Sequence, residues 1–160
     1  MPLESGPRER NKTEERVTQL GSQLHDEWRA TRYREESKDY EPQLKKTEDQ
    51  LWQMAHEGKT EIDIANTNYQ DLPEDWKGEN KASAEVTVTE IEKAVQGGVE
   101  LDDAFVESAS SILHDKWLER NGSYAPPEQQ KPYAELSEEE KEKDRVIIRK
   151  GIEIYKNKNN

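Results

Sequence analysis

Histidine and tryptophan recur with one spacing at two places in this 160-residue chain, as His25-Asp26-Glu27-Trp28 and as His114-Asp115-Lys116-Trp117. An imidazole donates and accepts hydrogen bonds, and an indole offers a broad face to a planar group, so the pair suits recognition of a purine-like ligand. On a helix turning roughly 100° per residue, His25, Trp28, Arg29 and Arg32 fall within about a quarter-turn of one another. Stacking of a base on such a Trp is worth ~1 to 3 kcal/mol. Arg29 and Arg32 would add charge-assisted bonds to phosphates. Their counterparts in the second copy are Leu118 and Asn121, which leaves Arg120 or Lys116 as the weaker basic source there.

A plainer account exists for each of these residues. Both Trp also fit core positions at helical spacing, and both His fit helix-surface hydrogen-bonding roles. Arg29, Arg32 and Arg34 would then pair with Glu27, Glu35 and Glu36, and Lys141, Arg145 and Arg149 with Glu138, Glu142 and Glu153. The recurrence of the whole pattern weakens the plain account of the His and Trp, while charge pairing is more common than anion binding for such arginines.

Catalysis has little to stand on. His25 and Asp26 are neighbours on a helix and cannot face each other, so the motif forms no Asp-oriented base. The three His, with His56 remote in sequence from the other two, lack metal-ligand spacing. Gly97-Gly98 ends a helix instead of opening one around a phosphate. The chain has no Cys, which excludes disulfides and thiolate chemistry. The expectation is a protein that is not an enzyme and needs neither metal nor cofactor.

The elements that must position these residues read as four principal helices. The first runs from Thr13 to about Arg34, with Val17, Leu20, Leu24 and Trp28 in one stripe. The second is opened by Pro73 and runs to about Gln96, with Trp76, Ala84, Val88, Ile91 and Val95 inward. The third spans Leu101 to Arg120, stopped by Asn121-Gly122, and the last is opened by a Ser137/Glu140 capping box and carries Ile148, Ile152 and Tyr155. Residues 35 to 67 form an excursion long for a connection, with a short helix around Trp52 to Glu57 and an extended Ile62-Asp63-Ile64. The class is mostly α, with short extended segments in the connections.

Composition narrows the setting. Charged residues make up 38% of the chain and hydrophobic ones 30%, with a net charge of -12, yet four Trp and six Tyr on patterned segments indicate a folded middle. Disordered ends are expected at residues 1–12 and 157–160, around one divergent repeat at 13–97 and another at 98–156. No apolar stretch reads as an export signal or a membrane span, so the expected location is the cytoplasm. The acidic balance opposes binding to a nucleic-acid polymer, while a small anion needs only a local basic patch.

The second element of each half also repeats: Tyr69-Gln70-Asp71-Leu72-Pro73 lines up with Tyr133-Ala134-Glu135-Leu136-Ser137, and Asn80-Lys81 with Asp144-Arg145. With Lys131-Pro132-Tyr133 and the run Glu140-Lys141-Glu142-Lys143-Asp144-Arg145, the order His-Asp-x-Trp, Pro-Tyr-x-x-Leu, Glu-Lys-x-x-Asp-Arg resembles the RyR repeat, the domain named after ryanodine receptors that also occurs in bacterial and phage proteins. The likeness covers most of residues 13 to 156 and is closest in the second half. A Gly-Trp-x-Tyr-Gly stretch usual in the family is replaced by Asn121-Gly122-Ser123-Tyr124-Ala125-Pro126 and by Asp39-Tyr40-Glu41-Pro42. The resemblance implies two helical repeats packed face to face, with an adenine nucleotide held between them near the His and Trp of each first element. The candidate ligand set is thus His25, Trp28, Arg29, Arg32, Tyr69, His114, Trp117, Arg120 and Tyr133. It further implies a nucleotide or ADP-ribose-type signal of antiviral defence as ligand and, for a chain without an effector domain, a sponge that sequesters that signal. The alternative is a protein-interaction module using exposed aromatics as an anchor patch. Oligomeric state is open, a homo-oligomer included.

Overall fold

A computed structural model describes residues 7–158, with side chains from Arg10 to Asn157. Its helices are α1 (Pro7–Ala30), α2 (Gln50–Ala55), α3 (Glu74–Gln96), α4 (Asp103–Asn121) and α5 (Glu138–Lys158), so the protein is mostly α. Two short antiparallel ribbons lie in the excursion, β1 (Tyr33–Arg34) with β2 (Asp39–Tyr40), and β3 (Leu44–Lys46) with β4 (Glu61–Asp63). Among the described residues no helix is long and apolar enough to cross a membrane. Of the ends expected to be disordered, residues 1–6 and 159–160 lie outside the described residues. Pro7 to Lys12 begin α1, and Asn157 and Lys158 end α5.

Contacts divide the chain into two compact units, Gly21–Ala82 on the one hand, and Met1–Leu20 with Ser83–Asn160 on the other. The division runs through α1 and α3. The first half of α1 and the second half of α3 therefore belong with α4 and α5.

That four-helix unit has a core of Ile91 and Ala94 from α3, Phe105, Val106, Ala109 and Leu113 from α4, and Ile148 and Ile152 from α5. Its closest helix crossing uses equivalent positions of the two sequence copies. Gly151 of α5 lies where an added Cβ would come within 2.5 Å of the Thr87 methyl of α3 and 2.9 Å of Ile91. A side chain there would overpack the core. A buried ion pair ties α1 to α3: Arg16 Nη1 donates to Glu92 at 2.7 Å, Thr13 Oγ1 donates to the same carboxylate, and the guanidinium lies 4.4 Å over the Tyr155 ring of α5. Asp102 caps α4 by accepting from Phe105 N at 3.0 Å, and Ser137 Oγ accepts from Glu140 N at 3.2 Å, the forward half of the expected capping box. Val95, expected to face inward, is 39% exposed, because α3 nears its Gly97-Gly98 end there and only Ala94 still faces the core.

The Gly21–Ala82 unit is built around Ile62, Tyr69 and Leu72, with Trp52, Ile64 and Trp76 packed against them. The helix expected to reach Arg34 stops at Ala30, since Tyr33 and Arg34 pair instead with Tyr40 and Asp39 and the two tyrosine rings meet edge to face at 5.3 Å. Aspartates organise the rest of the excursion. Asp63 accepts backbone N–H bonds from Gln43 and Ala65, Asp75 accepts from the Thr47 hydroxyl and Glu48 N, and Asp49 accepts from Trp52 N and Glu74 N. The indoles of Trp52 and Trp76 donate to the carbonyls of Asp71 and Lys46. A segment with few apolar residues is thus held by satisfied polar groups.

Candidate functional site

In the Gly21–Ala82 unit, His25 is buried on α1, and its Nε2 lies 2.8 Å from the carbonyl oxygen of Thr67. A carbonyl only accepts, so Nε2 carries the proton of the neutral ring. Burial holds this imidazole below its ordinary pKa, outweighing the opposing pull of the Thr67 carbonyl. The ring stacks on Trp28, one helical turn on, with centroids 5.8 Å apart and planes 25° from parallel. Trp28 remains 39% exposed.

Arg29 and Arg32 hold the excursion in place. Arg29 bonds Asp26 at 3.1 Å, the carbonyls of Ala65 and Thr67 at 3.4 and 3.3 Å and the Asn68 side chain at 2.9 Å, and its guanidinium covers the Tyr40 ring. Arg32 donates to the carbonyls of Glu41 and Pro42 at 3.0 and 3.1 Å and lies 5.4 Å over Trp28. The partners expected for these arginines were Glu27, Glu35 and Glu36. The structure gives instead Asp26 to Arg29, Glu41 at 3.9 Å to Arg32 and Asp39 at 2.8 Å to Arg34, because the hairpin turns the chain back after Ala30. Tyr69 is buried in a 3₁₀ turn, Tyr69–Asp71, beneath Lys77. Its phenol occupies the space of an absent side chain, since a Cβ on Gly21 would stand 2.5 Å from Tyr69 Oη.

The four-helix unit repeats this arrangement. His114 is buried on α4 with Nε2 2.7 Å from the Lys131 carbonyl, and it stacks on Trp117 at 5.9 Å and 16°. Thr67 and Lys131 each precede their tyrosine by the same step. Tyr133 opens a second buried 3₁₀ turn, Tyr133–Glu135, and Lys141 covers it as Lys77 covers Tyr69. The ion pairs correspond as well: Lys81 with Glu74 at 3.8 Å in one copy, Arg145 with Glu138 at 2.8 Å in the other. Trp117 is half-buried and Arg120 exposed, with Arg120 Nη1 donating to the Lys116 carbonyl at 3.3 Å.

Two further features mark the second copy. Arg145 grips Glu107 of α4 at 2.6 and 3.2 Å, and Tyr133 Oη donates to the same carboxylate at 3.0 Å. This pairing holds Glu107 and Glu138 below the usual carboxylate range, while burial and the facing Glu107 push the Tyr133 phenol up. Asp144 of α5 faces His114, with Oδ2 3.9 Å from Nδ1, where burial pushes its carboxyl up to about 6. The first copy has Asn80 at that position.

Within each unit the structure therefore brings together a His, a Trp and a Tyr of the candidate set. The His and Tyr are buried with partners in the chain, and the indoles are the members left partly open. Sequence reasoning missed the Thr67 and Lys131 carbonyls, which carry no side-chain signal, and Glu107, about two helical turns before His114. No family model, curated protein or solved structure matches this chain.

Proposed function

We propose that the chain is a non-catalytic tandem RyR-like protein that binds an adenine nucleotide or ADP-ribose-type molecule by stacking a base on the indole of each repeat, Trp28 in one and Trp117 in the other. The observation that carries this reading is the twice-built pair in which a buried imidazole, fixed to a backbone carbonyl, braces one edge of a partly exposed Trp at 5.8 and 5.9 Å. A ring fixed in advance loses little freedom when a ligand stacks on it. The base is the better supported part of the ligand. Arg29 and Arg32 spend donors on backbone carbonyls, and Lys116 and Arg120 are exposed basic groups on the helix of Trp117. Such a protein would act by sequestration, and in a phage it would be a sponge for a nucleotide signal of antiviral defence.

Thermal shift and calorimetry against ATP, ADP, AMP, ADP-ribose, its cyclic isomers and cyclic oligonucleotides test the reading. A ligand at 100 times its Kd stabilises the fold by about 2.7 kcal/mol. The recovered ligand, intact by mass spectrometry, separates sequestration from hydrolysis.

A second reading, a protein-interaction module, is favoured by one specific feature. Leu51 and Met54, one turn apart on α2, are 80% and 78% exposed, and Leu44 is 60% exposed. Exposed apolar side chains of this size on one short helix suit anchoring by a partner. Silence across the nucleotide panel would favour this reading.

A further inference from the structure

The buried His114 and Asp144 face each other with no hydrogen bond between them, Nδ1 to Oδ2 being 3.9 Å, and their side chains are 6% and 17% exposed. Nε2 of the same imidazole is committed to the Lys131 carbonyl at 2.7 Å, which leaves Nδ1 as the only ring nitrogen that can meet the carboxylate. A neutral ring with its proton on Nε2 presents a lone pair at Nδ1, and a carboxylate presents only lone pairs. The two therefore attract only when one proton lies between them. In the first copy Asn80 stands where Asp144 stands, and an amide can meet an imidazole nitrogen without taking up a proton.

We propose that His114 and Asp144 form a one-proton latch: a proton bound by the pair clamps the imidazole at both nitrogens, between α5 and the segment before Tyr133, and its loss releases the α5 side. The proton bridges Nδ1 and Oδ2 in the closed form and goes to solvent in the open form, with no other bond made or broken. Trp117, stacked on that imidazole, is the group whose mobility would follow.

The surroundings favour a change near neutral pH. On α5, Glu140 lies one turn before Asp144 and opposes its charge, while Lys143 partly offsets this. On α4 the titratable group facing Asp144 is His114 itself. The segment before Tyr133 presents Lys131 through its carbonyl and Gln129, whose amide donates to Glu140 at 3.2 Å. Burial adds to the Glu140 effect and places the Asp144 carboxyl at about 6. The latch is thus closed in mildly acidic solution and open above it, whether or not the indole carries a ligand.

The test is nuclear magnetic resonance of the imidazole nitrogens and carboxyl carbons of the full chain between pH 4.5 and 8. The expected result is that the Asp144 carboxyl titrates near pH 6 and that His114 Nδ1 changes to a hydrogen-bonded nitrogen over the same interval. Asp144→Asn, which copies the first repeat, should abolish that joint transition while leaving His25 as in the wild type. Should Asp144→Asn not fold, the wild-type titration alone decides. Titration of Asp144 without a change at His114 Nδ1, or a His114 Nδ1 signal unchanged in a folded Asp144→Asn, would overturn the latch.

Discussion

Nε2 of His25 donates to the carbonyl oxygen of Thr67 across 2.8 Å, and this one bond ties α1 to the segment that leads into the Tyr69 turn. Because the ring is buried, the bond serves two purposes: it satisfies a ring nitrogen shielded from water and it fixes the plane on which Trp28 stacks. Replacement by Ala would leave a cavity and leave the Thr67 carbonyl to the longer Arg29 bond. His25→Ala should therefore lose about 2 to 4 kcal/mol in urea unfolding, and His114→Ala a similar amount through Lys131. A His on a solvated surface would cost a fraction of that.

Gly21 and Tyr69 make the second test. Gly21→Ala should destabilise by about 1 to 3 kcal/mol, since the new methyl would meet the phenol at 2.5 Å. Tyr69→Phe in the Gly21→Ala background removes the nearest atom, so the double variant should recover part of the loss. Chemical denaturation of both variants checks the order.

Arg145 makes bidentate use of Glu107 and reaches Glu138 and Tyr133 as well, so its shape matters beyond its charge. Arg145→Lys should cost about 1 to 2 kcal/mol, with the loss measured by thermal and urea unfolding, despite retaining the positive charge. The corresponding Lys81→Arg in the first copy, whose pair with Glu74 is exposed at 3.8 Å, should move stability by less than about 0.5 kcal/mol.

Asp144 predicts a pH dependence of definite sign. Its carboxyl binds a proton more tightly in the fold, at about 6, than at its ordinary 3.8, so folding takes up a proton between these values. The stability this contributes is complete below pH 3.8 and is lost as pH rises through about 6. Asp144→Asn should accordingly be more stable than the wild type at neutral pH, by at most about 3 kcal/mol, with the gap closing toward pH 4. His25 acts in the opposite sense in both proteins, because its depressed pKa makes acidification below 6.5 unfavourable to the fold. Urea titrations of the pair of proteins across pH 4 to 8 isolate the Asp144 share as their difference.

The long helices were legible because Leu20, Ile91, Leu113 and Ile148, all buried, recur at helical spacing in segments with recognisable ends. The matching positions of the two halves were legible too, His25 with His114, Trp28 with Trp117 and Tyr69 with Tyr133. The hairpin after Ala30 was not, since its turn places Lys38 at φ 56 without the Asn-Gly or Asp-Gly signal that usually marks such a reversal. Missing the hairpin also gave the arginines the wrong partners. The nine candidate ligand residues were chosen by type, by spacing and by the family resemblance, and spacing could not show that His25 and His114 point at backbone carbonyls. A main-chain acceptor leaves no trace in the side-chain pattern.

The central claim is that the braced indoles hold a base, and calorimetric titration of Trp28→Ala and Trp117→Ala with the best ligand of the wild-type panel tests it most directly. The account predicts that each variant stays folded by circular dichroism and binds about 5- to 150-fold more weakly at the altered indole, as expected for losing a stacking contact of about 1 to 3 kcal/mol. Wild-type affinity in both folded variants would contradict it, and would leave Trp28 and Trp117 as packing residues.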